Sequence, residues 1–221
     1  MSELRQDPAS KRWVIIARER AQRPNVFVRP TPSMAPAAAY VATCPFCAGN
    51  ETLTPPECFA LRDGSVANAP GWRVRVIPNK FAALLPSGST ERWTEDEFFR
   101  RMDGVGKHEV IIEAPIHNLS LPLMDDGQVQ EVVATYRERY LTLREDPRFK
   151  LILIFKNHGI SAGTSLDHPH SQLVATPVVP TDTRATFQKA FDFFDDTGIC
   201  VYCHMLAEEL KVGKRIIMES D

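Results

Sequence analysis

No stretch of this 221-residue chain approaches the roughly 18 consecutive apolar residues needed to span a bilayer, and Met1 to Pro8 is polar and charged, without the apolar core of a signal peptide. These absences point away from membrane and secreted classes and toward a soluble cytoplasmic protein. Charge of one sign is missing too. With 26 basic and 28 acidic residues the formal net charge is -2, so no whole-chain field draws the protein to nucleic acid or to an anionic membrane, and any phosphate binding has to be local. The glycines around Gly159 and Gly163 fit neither the dinucleotide fingerprint nor the P-loop. What is present is a 43% hydrophobic chain, long enough for one large domain or two small ones. Its five cysteines, without a secretion signal, suggest thiols or metal ligands rather than a disulfide framework.

Periodicity supplies a coarse organisation. Arg12 to Ala17 is a short β-branched run, followed by a polar turn over Arg18 to Arg23 and a Pro- and Ala-rich linker over Pro30 to Ala39. Trp72 to Val76 alternates apolar residues with Arg73 and Arg75, which predicts a strand with one wet, cationic face. Thr94 to Glu97 has the form of a capping box ahead of Phe98 and Phe99 and predicts a short helix. His108 to Glu113 reads as a strand. Val129, Val132, Val133, Tyr136 and Tyr140 recur at helical spacing and predict a long amphipathic helix from Gly127 to about Glu145. The unbroken apolar run Leu151 to Phe155 predicts a strand covered on both faces at the centre of a sheet, and Leu173 to Val179 another strand. Asp182 is placed to cap a helix carrying Phe187, Phe191 and Phe194 and ending near Gly198. A short helix over Met205 to Leu210 and a strand over Arg215 to Met218 complete the reading.

Two kinds of motif carry chemistry. Cys44-Pro45-Phe46-Cys47 and Cys200-Val201-Tyr202-Cys203 are each a redox pair, a zinc half-site or a coincidence of spacing. Cys58 reads as a small buried or half-buried side chain, and His108 and His158 as a strand and a loop residue with no partner at ligand spacing. In His168-Pro169-His170-Ser171-Gln172, two imidazoles and an amide share one face if the segment is extended. That face is either ordinary exposed strand or a set of groups for phosphorus chemistry. Ser161, Thr164 and Ser165 just upstream, with loop amides able to receive phosphate oxygens, favour the second.

The segments Cys44-Pro45-Phe46-Cys47-Ala48-Gly49-Asn50-Glu51, Val76 to Phe81, His108 to Glu113, Phe155 to Gly159 and Ser165 to Gln172 together resemble galactose-1-phosphate uridylyltransferase, the transferase branch of the histidine-triad superfamily. The resemblance implies an α+β fold, an antiparallel half-barrel sheet with packed helices. It implies one complete repeat in residues 1–198 and the start of a second in 199–221. It further implies that His170 is the nucleophile and Gln172 a phosphoryl-oxygen holder that neither donates a catalytic proton nor activates water. Asn79 and Phe81 match uridine contacts, Asn157, Ser165 and Gln172 match phosphate contacts, and Arg20 and Arg23 match cationic positions near the substrate or subunit interface. Cys44, Cys47, His117 and His168 match a structural Zn2+ site. Cys200 and Cys203 match a second zinc pair whose histidines are expected beyond Asp221, so that site is expected to be incomplete and the chain an incomplete, even inactive, enzyme.

The activity so implied is ping-pong uridylyl transfer from UDP-glucose to a hexose 1-phosphate in galactose metabolism, by a homodimer. Two other readings stay open: an ADP-sugar phosphorylase passing adenylate to phosphate, and a zinc-stapled nucleotide-binding module without turnover.

Overall fold

The computed structural model describes residues 2–7, 11–18, 20, 38–159, 162, 164 and 166–219. Most of the Arg18 to Arg23 turn and of the Pro30 to Ala39 linker lies outside them, as do Arg23, Ser161, Gly163 and Ser165. The chain divides into two compact units, Met1–Val178 and Val179–Asp221.

Among the described residues the first unit holds nine strands in two antiparallel sheets, two short 3-10 turns and one long α-helix. A four-stranded sheet runs β2-β1-β6-β5, with β1 Glu3–Gln6, β2 Trp13–Ile16, β5 Trp93–Glu95 and β6 Phe99–Asp103. A five-stranded sheet runs β3-β4-β7-β9-β8, with β3 Phe59–Arg62, β4 Trp72–Pro78, β7 Lys107–Ile112, β8 Leu151–Phe155 and β9 His170–Thr176. Helix α1, Asp126–Leu143, starts where the Asp125 carboxylate accepts the Gln128 amide at 2.9 Å. The α+β class expected from the sequence is therefore found.

Side-chain alternation gives the larger sheet two different faces. On one, Val74, Val76, Ile111, Leu173 and Ala175 pack with Val132 and Leu143 of α1. On the other, Ile77, Val110 and Ile112 pack with Cys44, Phe46 and Cys47. The helix face also holds charge: Arg139 of α1 grips Glu109 with two hydrogen bonds of 2.9 Å. Glu113, fully buried, accepts from Ser171, Lys156 and Tyr136.

Several expectations are corrected. Thr94 to Glu97 forms no helix: Asp96 and Glu97 take φ of 50° and 61°, and Phe98 N–H returns to the Glu95 carbonyl, which joins β5 to β6 through a turn of the hairpin type. Leu151 to Phe155 is an edge strand rather than the centre, with Leu153 and Phe155 exposed, because only its Ile152 and Ile154 side faces the helix-covered core. Of the two arginines expected on a wet face of β4, Arg73 is partly exposed and pairs with Asp63 and Glu131, whereas Arg75 is buried against Glu57 and Thr54. The buried stripe of α1 is Val132, Thr135, Arg139 and Leu143, while Val133 and Tyr140 are exposed. Thr135 and Arg139 enter that stripe because their polar groups find partners, Thr135 at the Glu131 carbonyl.

The second unit contains α2, Thr181–Thr197, and α3, Val201–Val212. Asp182 does not cap α2 but lies in its first turn, and Pro180 occupies the N-cap position without a side-chain cap; the helix ends as expected at Gly198, in the left-handed region at φ 68°. Helix α3 starts directly from Cys200, so the second Cys pair sits at a helix N-terminus and not on a knuckle like that of Cys44 to Cys47. The strand expected over Arg215 to Met218 does not form: Ile217 is fully exposed, and among the described residues no strand lies beside that segment to accept its backbone. Among the described residues no helix is long and apolar enough to cross a membrane.

Candidate active site

Strand β9 presents His170, Gln172 and Val174 on one face and buries Ser171, Leu173 and Ala175 on the other. Of the two imidazoles and the amide expected on one strand face, His170 and Gln172 share it and His168 does not. His168 stands just before the strand and is fully buried.

His168, His117, Cys44 and Cys47 converge, their ligand atoms all within 4.8 Å of one another. Cys47 Sγ lies 3.4 Å from His117 Nδ1 and 3.7 Å from His168 Nδ1, and Cys44 Sγ lies 3.7 Å from His168 Nδ1. A tetrahedral zinc ion with Zn–S of about 2.3 Å and Zn–N of about 2.0 Å sets sulfur and nitrogen roughly 3.5 Å apart, so this donor set fits such an ion. The outer contacts agree. His168 Nε2 donates to the Ala114 carbonyl at 2.8 Å, which leaves the Nδ1 lone pair facing the thiols. Burial pushes the Cys44 thiol up to about 11 and holds His168 down to about 4, so His168 is neutral while the Cys44 thiol calls for a nearby cation to ionise. Among the described residues this is the one such cluster. Cys200 and Cys203 are exposed in the other unit.

The cluster fixes the backbone beside the catalytic candidate. His170 Nδ1 donates to the carbonyl of His168 at 2.8 Å, placing the proton on Nδ1 and the lone pair on Nε2. Phe46, from the Cys44–Cys47 turn, packs edge-on against the His170 ring at 5.3 Å between centroids. One turn therefore supplies two thiols and a wall that restricts the imidazole.

His170 and Gln172 form the polar end of a cavity of about 240 Å³ whose apolar walls include Leu53, Pro55, Ile77, Phe81, Val110 and Leu166. Asn79 and Phe81 both line it, and the Asn79 side-chain oxygen accepts the Phe81 amide at 2.9 Å, which holds the turn after β4 in shape. Lys80 is the cationic side chain of the wall. An apolar cavity that also carries an imidazole, an amide and an ammonium suits a nucleobase and its phosphates. Asn157 follows β8, half-buried, and is not among the residues lining this cavity. Arg20 donates to the Phe81 carbonyl at 2.9 Å and so braces the turn from behind.

His108, taken from the sequence as an ordinary strand residue, is buried within hydrogen-bond reach of Gln172, Asn79, Arg20 and the Ala83 amide. The sequence offers no spacing signal for it, because its partner lies in another strand.

Residues 1–180 match the family model described as galactose-1-phosphate uridyl transferase, N-terminal domain. An ADP-glucose phosphorylase of Arabidopsis thaliana is 36% identical over 215 residues, covering 96% of this chain and 59% of that protein. A galactose-1-phosphate uridylyltransferase of Thermotoga maritima is 28% identical over 209 residues, covering 95% of this chain and 57% of that protein. Among solved structures, that of an Arabidopsis thaliana ADP-glucose phosphorylase with bound ADP-glucose superposes with a TM-score of 0.64 at 33% identity, over 92% of this chain and 58% of the other. A uridylyltransferase structure gives 0.71 at 24% identity over 99% and 59%, a likeness of fold. The chain spans a little under 60% of the length of these relatives.

Proposed function

The chain belongs to the galactose-1-phosphate uridyl transferase family, and from that membership we propose that it transfers a nucleotidyl group from a nucleoside diphosphate sugar to a phosphate acceptor through His170. The observation that carries the reading is the 2.8 Å hydrogen bond from His170 Nδ1 to the His168 carbonyl, in a cavity shared with Gln172. It leaves Nε2 as the basic nitrogen facing substrate.

His170 Nε2 attacks the α-phosphorus, the bond from that phosphorus to the bridging oxygen breaks, and sugar 1-phosphate leaves with the electron pair. A phosphate oxygen of the acceptor then attacks the same phosphorus, and Nε2 is released unchanged. The His168 carbonyl supports the positive charge that the imidazole takes on while phosphorylated. Gln172 brings no acid or base, so the intermediate survives until an acceptor arrives. Zinc bound by Cys44, Cys47, His117 and His168 would staple the Cys turn to the backbone around His168, with no part in proton or phosphoryl transfer. Reduced thiols in that set suit a reducing compartment such as the cytoplasm.

The 36% identity with the plant ADP-glucose phosphorylase favours an ADP-sugar donor and inorganic phosphate acceptor. The family description supports the second reading, UDP-glucose with a hexose 1-phosphate as acceptor. Incubation with each sugar nucleotide, labelled at the α-phosphate, separates them: acid-labile, base-stable label on the protein identifies the donor, and His170→Asn abolishes it. No label from either donor refutes transfer and leaves a zinc-stapled nucleotide-binding module.

A further inference from the structure

We infer that His108 is a positioning residue that fixes which end of the Gln172 amide faces the transferring phosphoryl group. The inference rests on the nucleotidyl-transfer reading for its kinetic consequence, but not for its geometry.

In the register of β7 and β9, His108 lies opposite Val174 and Val110 opposite Gln172. His108 and Gln172 are thus diagonal neighbours on one face, within reach of a long side chain. His108 Nδ1 lies 3.0 Å from the backbone N–H of Ala83 and 3.4 Å from Arg20 Nη1. Both of these groups can only donate, so Nδ1 must hold its lone pair, and the ring proton sits on Nε2. That nitrogen is 2.9 Å from Gln172 Oε1. Asn79 Nδ2, whose orientation is set because Asn79 Oδ1 accepts the Phe81 amide, lies 3.4 Å from the same oxygen and 3.1 Å from His108 Nε2; with the ring proton on Nε2, the second approach is a contact between two donors and the hydrogen bond goes to Oε1. Two donors of fixed direction therefore converge on one amide oxygen.

The consequence falls on the other end of the amide. With Oε1 turned to His108 and Asn79, Gln172 presents its NH2 to the cavity it shares with His170. An amide NH2 stabilises phosphoryl oxygens. The flipped amide would place a partial negative charge against them. Gln172 is a competent phosphate holder in only one of its two orientations, and the backbone N–H of Ala83 selects that orientation through the His108 ring.

The test is single-turnover transfer of α-phosphate label to His170 in the unsubstituted protein, His108→Phe, Gln172→Ala and the double variant. His108→Phe keeps the ring and loses the donor. It is expected to slow transfer about 10- to 100-fold, the scale of a weakened transition-state donor, with the sugar nucleotide dissociation constant changed less than about threefold. In the Gln172→Ala background the same substitution is expected to cost less than about twofold, since residues acting through one another are not additive. His108→Gln, with a donor near the position of Nε2, is expected to recover most of the rate. An equal penalty in both backgrounds overturns the role, because a purely structural histidine would cost the same in each. Nitrogen-15 imidazole spectra, assigned with His108→Gln, read the tautomer without turnover: Nε2–H is expected, and Nδ1–H overturns the inference even if His108→Phe fails to fold. Absence of label from the unsubstituted protein refutes nucleotidyl transfer alone, while the spectrum still decides the orientation of the network.

Discussion

Replacing Arg139 by methionine should cost the first unit about 3–5 kcal/mol of stability, the range for breaking a buried ion pair at one partner. Arg139 Nε and Nη2 each lie 2.9 Å from a different oxygen of Glu109, and the two side chains are only 9% and 4% exposed. Burial opposes the charge on Arg139, yet the Glu109 carboxylate more than restores it and the guanidinium is held above its ordinary value. Methionine fills much of the volume of the arginine stem, so the loss is dominated by the carboxylate left behind without a partner. At about 2–4 °C per kcal/mol for a unit of this size, the melting temperature should fall by about 6–20 °C.

The assay is denaturant unfolding of the full chain followed by tryptophan fluorescence, which reads the first unit alone because Trp13, Trp72 and Trp93 all lie in it. The control is the double variant Glu109→Leu with Arg139→Met, which removes both charges and should recover to within about 1–2 kcal/mol of the parent. The reasoning is refuted if Arg139→Met costs less than about 1 kcal/mol, or if the double variant is as unstable as the single. Either result would mean that packing around α1, and not a buried uncompensated charge, sets the stability of this interface. The outcome bears on function because Glu109 separates His108 from Val110 along β7, on the face away from the cavity.

Removing metal with a strong chelator should lower the melting temperature by about 5–10 °C if the ion is at roughly 100 times its dissociation constant, which corresponds to about 2.7 kcal/mol. Cys47→Ser should reproduce the loss, and elemental analysis should find about one zinc per chain; a chain without zinc that melts unchanged would refute the staple. Gly106→Ala should destabilise by about 1–3 kcal/mol in the same denaturant assay, because a Cβ there runs into the Ala175 carbonyl oxygen and the Leu84 side chain. A neutral effect would show that the β6–β7 connection yields. At the start of α3, hydrogen bonds from the Cys203 backbone and thiol lower the Cys200 thiol below its ordinary value, while the same thiol contact raises Cys203. Cys200 therefore carries more thiolate at neutral pH and should be alkylated first, as followed by mass spectrometry; equal rates would refute the asymmetry.

How much of the site was legible depends on whether the relevant contact runs along the chain or across it. The pairing of His170 with Gln172 was legible because strand periodicity acts at i and i+2, and the fold keeps it. The closure of His117 and His168 on the Cys44–Cys47 turn was reached through family resemblance. Spacing alone left that turn ambiguous, since 70 residues separate Cys47 from His117 and 121 separate it from His168. The role of His108 leaves no mark in the sequence for a related reason. Its role depends on the β7–β9 register, which places it diagonal to a residue 64 positions away. The differences between apolar pattern and burial have a common physical origin. Apolar periodicity predicts burial by assuming that polar side chains seek water, yet Arg139, Arg75, Glu109 and Glu113 are buried because each finds an oppositely charged or hydrogen-bonding partner on a neighbouring element. Leu153 and Phe155 show the converse, since an apolar run cannot disclose which of its faces the fold leaves uncovered. In this chain the apolar pattern locates the elements, whereas polar pairing between elements decides which charged side chains are buried and, at Gln172, the direction in which a single amide points.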